Sequence, residues 1–334
     1  MPELSRRVVL IIGGAGYVGS VLTRHLLGEG YRVRVLDALL YENEKAIADL
    51  HGNDRFSFVR GDFCDSSILK SALAGATDII MLAALVGDPI CRKYPELARK
   101  INETGTLRLI ERLGEYPINR FVFMSTCSNY GLRETDEPAD ETCELNPQSL
   151  YAELKVNVER FLLANANRFG FVSTVLRGAT AYGLSHRMRF DLTINEFTRE
   201  LAAGNELLVY DADTWRPYCH LVDFARAIQV VLEAPGESVR GEVFNLGGTG
   251  GNYTKRMLVD LLSRQIPSAR IVFREGSTDP RNYRVTFDKI RDRLVFSIAR
   301  DVERYVPELM GRLSQGDFAD YATHKNFYGN YQIR

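Results

Sequence analysis

Short apolar runs alternate along this chain with stretches of helical spacing. The segment Arg7–Ile12, ending VVLII, predicts a buried parallel strand. Ser20–Leu27 has helical spacing, and Tyr31–Leu36 predicts a second strand that stops at Asp37. Further strands are expected at Arg55–Val59, Asp78–Leu82, Arg120–Met124 and Phe171–Leu176. Helices are expected between them at Ser66–Leu73, Pro95–Leu113 and Ser149–Asn167. Repeated βα units with apolar strands imply a mostly parallel sheet covered on both faces.

The pattern loosens after Gly178. Helices are expected at Leu192–Ala203, Val222–Leu232, Lys255–Leu262 and Tyr305–Leu313. Short strands are expected at Glu206–Val209, Val243–Leu246 and Arg270–Phe273, and the tail from Ser314 has no clear period. No repeat or low-complexity linker separates the halves, so the second half is expected to be woven onto the first.

The first strand runs into Gly13-Gly14-Ala15-Gly16-Tyr17-Val18-Gly19. Gly13 permits a tight turn, Gly16 lets backbone approach a pyrophosphate, and Gly19 lets helix pack on sheet. The helix start that follows offers unpaired N–H groups to phosphate. Asp37, at the end of the second strand, suits both ribose hydroxyls of NAD and would repel the extra phosphate of NADP. Asp62, after the third strand, has two readings: a polar contact to adenine, or a turn cap. The order of strand, turn, helix, strand and acid predicts a Rossmann-type doubly wound parallel sheet.

Tyr151 and Lys155 are four residues apart on an expected helix and share a face. An ammonium beside a phenol lowers the phenol pKa and makes it a usable acid or base. Lys155 can also bond the nicotinamide ribose. An isolated pair of this kind is commonly just an exposed helix pair. Here it follows a dinucleotide turn and lies one βα unit beyond the Arg120–Met124 strand.

Composition narrows the setting. The chain has 334 residues, with 42 Lys plus Arg against 43 Asp plus Glu, a net charge of −1. This balance does not favour a nucleic-acid partner. No apolar run is long enough to span a membrane, and no secretory signal pattern is evident. Five cysteines without a CxxC pair argue against a disulfide framework and for a cytoplasmic setting. No metal site is expected.

The chain resembles the extended short-chain dehydrogenase/reductases, specifically the NAD-dependent nucleotide-sugar epimerase/dehydratase family. The resemblance rests on GGAGYVG at 13–19, GD at 61–62, LAA at 82–84, STCSNYG at 125–131, YAELK at 151–155 and RPYCHLVD at 216–223. It implies a cofactor domain over 1–180 that carries the chemistry. It also implies a smaller C-terminal substrate-binding lobe, mainly 181–334 and interwoven with the first. The catalytic set implied is Thr126, Tyr151 and Lys155. Cys127 is either an acid or base at C3 or C5, or a pocket-lining residue.

The implied NAD contacts are Gly13, Ala15, Gly16, Tyr17, Val18, Gly19, Asp37, Asp62, Phe63, Leu82, Ala83, Ala84, Asn102, Ser125, Tyr151 and Lys155. The implied contacts to a nucleoside-diphosphate sugar are Val86, Thr126, Cys127, Ser128, Thr180, Asn195, Arg216 and Arg281, the two arginines serving the pyrophosphate. His220 and Asp223 are expected to organise the lobe. A homodimer is also implied.

Three departures stand out. Met81 and Thr180 replace the His and Asn that many relatives carry there. Cys127-Ser128 replaces the Asp-Glu that follows the catalytic Thr in 4,6-dehydratases. The expected reaction is therefore epimerisation at C4 through a 4-keto intermediate. An unusual dehydratase or C3/C5 epimerase, a 4-ketosugar reductase, and a non-catalytic NAD-binding protein are the alternatives.

Overall fold

Seven parallel strands form the central sheet of the computed structural model, which describes residues 7–133, 137–276 and 281–333. The first six are β1 (Val8–Ile12), β2 (Arg32–Asp37), β3 (Phe56–Arg60), β4 (Asp78–Met81), β5 (Arg120–Thr126) and β6 (Val172–Gly178). They lie in the order 3-2-1-4-5-6, every pair parallel. The order reverses between β1 and β4, which opens a crevice at the carboxyl ends of the strands.

The chain then leaves the sheet for β7 (Thr180–Tyr182), β8 (Glu206–Tyr210) and β9 (Trp215–His220). It returns with β10 (Glu242–Leu246), which pairs parallel with β6 and forms the edge of the central sheet. It departs again for β11 (Asn252–Thr254) and β12 (Arg270–Arg274). The lobe thus holds a three-stranded sheet, β11-β9-β7, and a two-stranded one, β12-β8.

Alternation along β1 shows why its strands read as continuous apolar runs. Val9 and Ile11 join one buried cluster, with Ala227 and Ile228 of the Leu221–Glu233 helix. Leu10 and Ile12 join the other, with Leu109, Leu154 and Val158. Both faces of β1 are therefore covered, whereas Arg32 on β2 and Ser57 and Arg60 on the edge strand β3 reach water. A third cluster, including Phe190, Tyr305, Leu309 and Tyr328, forms the lobe core. Among the described residues, no helix is long and apolar enough to cross a membrane.

The helix expected at Pro95–Leu113 is modified in its middle. Pro95–Arg99 and Thr106–Arg112 are α-helical, while Lys100–Gly105 forms a wider π turn. A Cβ at Gly105 would lie 2.4 Å from Cys64 Sγ, so this turn lies tight against the Cys64 loop. Strand β9 was not expected. Its sequence, WRPYCH, contains Pro217, a residue that normally argues against a strand.

Candidate active site

The glycine turn is held by contact as well as by conformation. Gly13 has φ +90°, and a Cβ there would lie 2.6 Å from the Ala83 nitrogen. A Cβ at Gly19 would lie 2.3 Å from the Gly13 carbonyl oxygen, so the Tyr17–Gly28 helix abuts the turn directly. At the end of β2, the Asp37 carboxylate accepts the Ala15 N–H at 3.0 Å and the Leu39 N–H at 2.8 Å. Burial raises the Asp37 carboxyl, and these N–H groups and the Arg187 charge oppose that rise. A carboxylate has about four acceptor positions, so lone pairs remain for ribose hydroxyls. Glycine cradle and buried acid together fit a dinucleotide.

Asp62 caps its turn, and it also stands at the cavity. It accepts the Cys64 N–H at 2.8 Å, pairs with Lys100 at 3.2 Å, and lines the same cavity as Phe63.

Thr126 ends β5, and its Oγ1 accepts the Ser128 N–H at 3.1 Å. Ser149 caps the Leu150–Asn165 helix by accepting the Ala152 N–H at 3.3 Å. That helix carries Tyr151 and Lys155 one turn apart, and both line the cavity with Thr126. Lys155 Nζ donates to the Met124 carbonyl at 2.8 Å and lies 4.6 Å from the Phe123 ring centre. Burial lowers Lys155 from 10.5 to about 7, and burial pushes the Tyr151 phenol up, with the Cys91 and Asp88 charges adding to that rise. The expected lowering of Tyr151 by Lys155 is therefore not met in the protein alone. The Lys155 ammonium is turned to a carbonyl and a ring, and both groups are desolvated.

Behind this wall lies a buried polar network. Arg177 on β6 pairs with Glu159, with Nε–Oε1 at 2.9 Å. Ser125 donates to Glu159 at 2.9 Å, and Arg177 Nη1 donates to the Tyr130 hydroxyl at 2.9 Å.

Four expected site residues have side chains outside the cavity. Cys127 is 1% exposed, packs in the core, and its thiol donates to the Arg177 carbonyl at 3.1 Å. Burial raises that thiol well above its ordinary value, which disfavours the thiolate. Asn102 accepts the Leu85 N–H at 2.8 Å and donates to the Leu85 carbonyl at 2.9 Å, a role that shapes the loop after β4. Asn195 donates to the Tyr17 hydroxyl and the Arg189 carbonyl, each at 2.8 Å, and accepts from Tyr305. Ala15 is buried in the turn, where its N–H serves Asp37 and its carbonyl accepts from Asn43 at 2.8 Å.

The remaining expected residues meet in one cavity of about 610 Å³. Val86, Ser128, Thr180, Arg216 and Arg281 line it. Arg281 donates to Ser128 Oγ at 3.3 Å and pairs with Asp88 at 3.2 Å. Arg216 lies over the Tyr283 ring at 5.3 Å. Sequence reasoning missed Asp88, Arg187, Arg189, Asn330 and Tyr331 in this lining. The alternating cations of RMRFD, 187–191, are a signal for two of them; the tail offers none.

The sequence profile of the NAD dependent epimerase/dehydratase family matches residues 9–247. The chain belongs to this family. Among its relatives is a dTDP-glucose 4,6-dehydratase of Streptomyces niveus, 31% identical over 86% of this chain and 87% of the relative. Another is a UDP-glucose 4-epimerase of Rhizobium leguminosarum bv. trifolii, 30% identical over 86% of this chain and 92% of the relative. The fold is similar to that of the Thermotoga maritima UDP-glucose 4-epimerase solved with UDP-glucose, at TM-score 0.82 and 26% identity. That match covers 92% of this chain and 99% of the other. It is also similar to a Streptomyces venezuelae dTDP-glucose 4,6-dehydratase with NAD bound, at TM-score 0.79 and 28% identity, over 92% and 98% of the two chains. As a member of the epimerase/dehydratase family, the protein is an enzyme whose cofactor is NAD.

Proposed function

We propose that the protein epimerises a nucleoside-diphosphate sugar at C4 through a transient 4-keto intermediate. The observation that carries this reading is the meeting of Thr126, Tyr151 and Lys155 with Arg216 and Arg281 in one cavity, where Ser128 stands in place of a carboxylate. NAD+, when bound, accepts a hydride from the sugar and returns it. Asp37 and the glycine turn hold the dinucleotide. Tyr151 takes the proton of the C4 hydroxyl, and Thr126 steadies that oxygen by hydrogen bonding. With NAD bound, a charged Lys155 turned from the Met124 carbonyl towards the phenol favours its ionised form. Arg216 and Arg281 hold the diphosphate, so the sugar can turn its other face while the nucleotide stays fixed.

Dehydration is a second reading with one observation in its favour. Asp88 Oδ1 is buried in the cavity region without a hydrogen-bond partner, and it is a carboxylate near Tyr151. A panel of UDP- and dTDP-sugars in D2O, followed by NMR, tests both. C4 epimerisation gives the epimer with no deuterium on carbon, and Tyr151→Phe lowers its rate by about 100-fold or more while NAD stays bound. Loss of water, or deuterium at C3 or C5, overturns the epimerase reading. The proposal includes a homodimer, checked by light scattering. It also includes a cytoplasmic setting, which suits five free cysteines.

A further inference from the structure

The C-terminal segment from Asn326 to Tyr331 joins the lobe to the cofactor-binding half. On the lobe side, the Phe190 N–H donates to the Tyr328 carbonyl at 2.8 Å, and the Asn330 N–H donates to Asp191 at 3.1 Å. On the other side, the Asn330 amide donates to the Val86 carbonyl at 3.0 Å, and Lys93 Nζ donates to the Tyr331 carbonyl at 3.3 Å. Asn330 and Tyr331 line the cavity. The segment is thus a strap across the cleft.

One side chain fastens the strap. Arg187 donates to Asn330 Oδ1 at 2.9 Å, to the Gly329 carbonyl at 3.0 Å and to the Asn326 carbonyl at 3.4 Å. Its guanidinium lies 4.7 Å from the Tyr41 ring centre, and its charge reaches Asp37, the acid expected to hold ribose. Arg187 lines the cavity and is only 2% exposed, yet its Nε–H is buried without an acceptor. Neighbouring Arg189 differs, because its Nε and Nη2 donate to the two oxygens of Asp191, at 2.9 and 2.7 Å. Asn43 Oδ1, also at the cavity, is a buried acceptor without a donor. A buried cationic donor left unpaired is costly, so the Arg187 Nε–H calls for an oxygen acceptor. A ribose–pyrophosphate offers oxygen acceptors for Arg187 and hydroxyl donors for Asn43.

We propose that Arg187 is a cofactor-binding residue supplied by the lobe: its Nε–H takes an oxygen of the ribose–pyrophosphate part of NAD, and the same guanidinium locks the C-terminal strap over the bound dinucleotide. The inference rests on NAD as cofactor and not on which sugar carbon reacts. Cofactor binding and strap docking are then linked, each favouring the other. A strapped cofactor suits a reaction that returns its hydride and has no need to exchange NAD between turnovers.

The test uses full-length protein stripped of cofactor. Calorimetry gives the NAD affinity of wild type, Arg187→Met and Asn330→Ala. Hydrogen exchange follows the peptide containing residues 326–331. Arg187→Met is expected to weaken NAD by about tenfold or more, the scale of a lost charge-assisted hydrogen bond. NAD, and equally ADP-ribose, is expected to slow exchange of the strap in wild type but not in Arg187→Met. Asn330→Ala keeps Arg187 and removes the strap anchor, so it is expected to speed NAD release. The proposal is overturned if Arg187→Met melts like wild type and binds NAD within roughly twofold. It is also overturned if ADP-ribose leaves strap exchange unchanged. Should Arg187→Met not fold, an unchanged NAD release rate in Asn330→Ala overturns the lock.

Discussion

The Arg177 guanidinium and the Glu159 carboxylate are paired behind the strand end that carries Thr126, with side chains only 4% and 1% exposed. Arg177 belongs to β6, and Glu159 to the helix that carries Tyr151 and Lys155. Ser125, next to Thr126, hydrogen-bonds the same carboxylate. One ion pair thus ties together the pieces that carry all three proposed catalytic side chains.

Glu159→Gln leaves the Arg177 charge buried and uncompensated, and is expected to cost about 3–5 kcal/mol of stability. Urea denaturation measures this. The double variant Glu159→Leu/Arg177→Met is expected to recover much of the loss, because an apolar pair leaves no stranded charge. A Glu159→Gln protein as stable as wild type would show that the pair does not clamp the site.

Lys155→Met is expected to abolish turnover and yet raise the melting temperature of the cofactor-free protein. Burial lowers Lys155 from 10.5 to about 7, so folding disfavours its charged form. The resulting cost is full below about pH 7 and fades as pH rises towards the unfolded value. The melting-temperature gain of the variant should therefore be larger near pH 6 than near pH 9. A gain that does not change with pH would place the titration elsewhere.

Cys127→Ala tests whether the thiol has any part in the chemistry. The sulfur is committed to the Arg177 carbonyl and packs in the core. The variant should keep the wild-type rate within roughly threefold and lose about 1–2 kcal/mol of stability from the small cavity. A rate loss of about 100-fold in a folded variant would return the thiol to the reaction.

His220 gives the lobe an acid sensitivity. Its Nδ1 accepts the Val222 N–H at 3.2 Å, and its ring packs edge-on to Tyr182 and Tyr305. Burial, with a smaller push from Arg300, lowers it from 6.5 to about 4, against the pull of Asp223. The depressed value means that its stabilising share is whole above about pH 6.5 and is lost as pH falls towards 4. His220→Asn, which keeps a good helix cap, should flatten the decline of melting temperature across that window.

Much of the cofactor half was legible because its physics is local. Strands β1, β4, β5 and β6 are buried along most of their length, β2 still carries Val33, Val35 and Leu36 inward, and the glycine turn, Asp37, Thr126 and the Tyr151–Lys155 pair stand at fixed positions relative to them. What was illegible depends on distance along the chain or on side-chain direction. Arg187 meets Asn330 across 143 residues, and no periodicity announces such a contact. Cys127 is adjacent to Thr126, but the chain turns there, so one side chain faces the cavity and the other the core. Asn102 and Asn195 enter the site reading through the family resemblance, and the structure shows both amides satisfying buried polar groups, which residue spacing does not announce.

Strand β10 has a consequence for anyone wishing to exchange substrate lobes between relatives. The strand is the border of the cofactor sheet, yet it is encoded after β7, β8 and β9. A fragment cut near residue 180 would leave β6 with a bare row of unpaired N–H and C=O groups, a template for aggregation. A lobe cassette must therefore be joined at two points or more, on either side of Glu242–Leu246, and a single crossover would yield neither half intact.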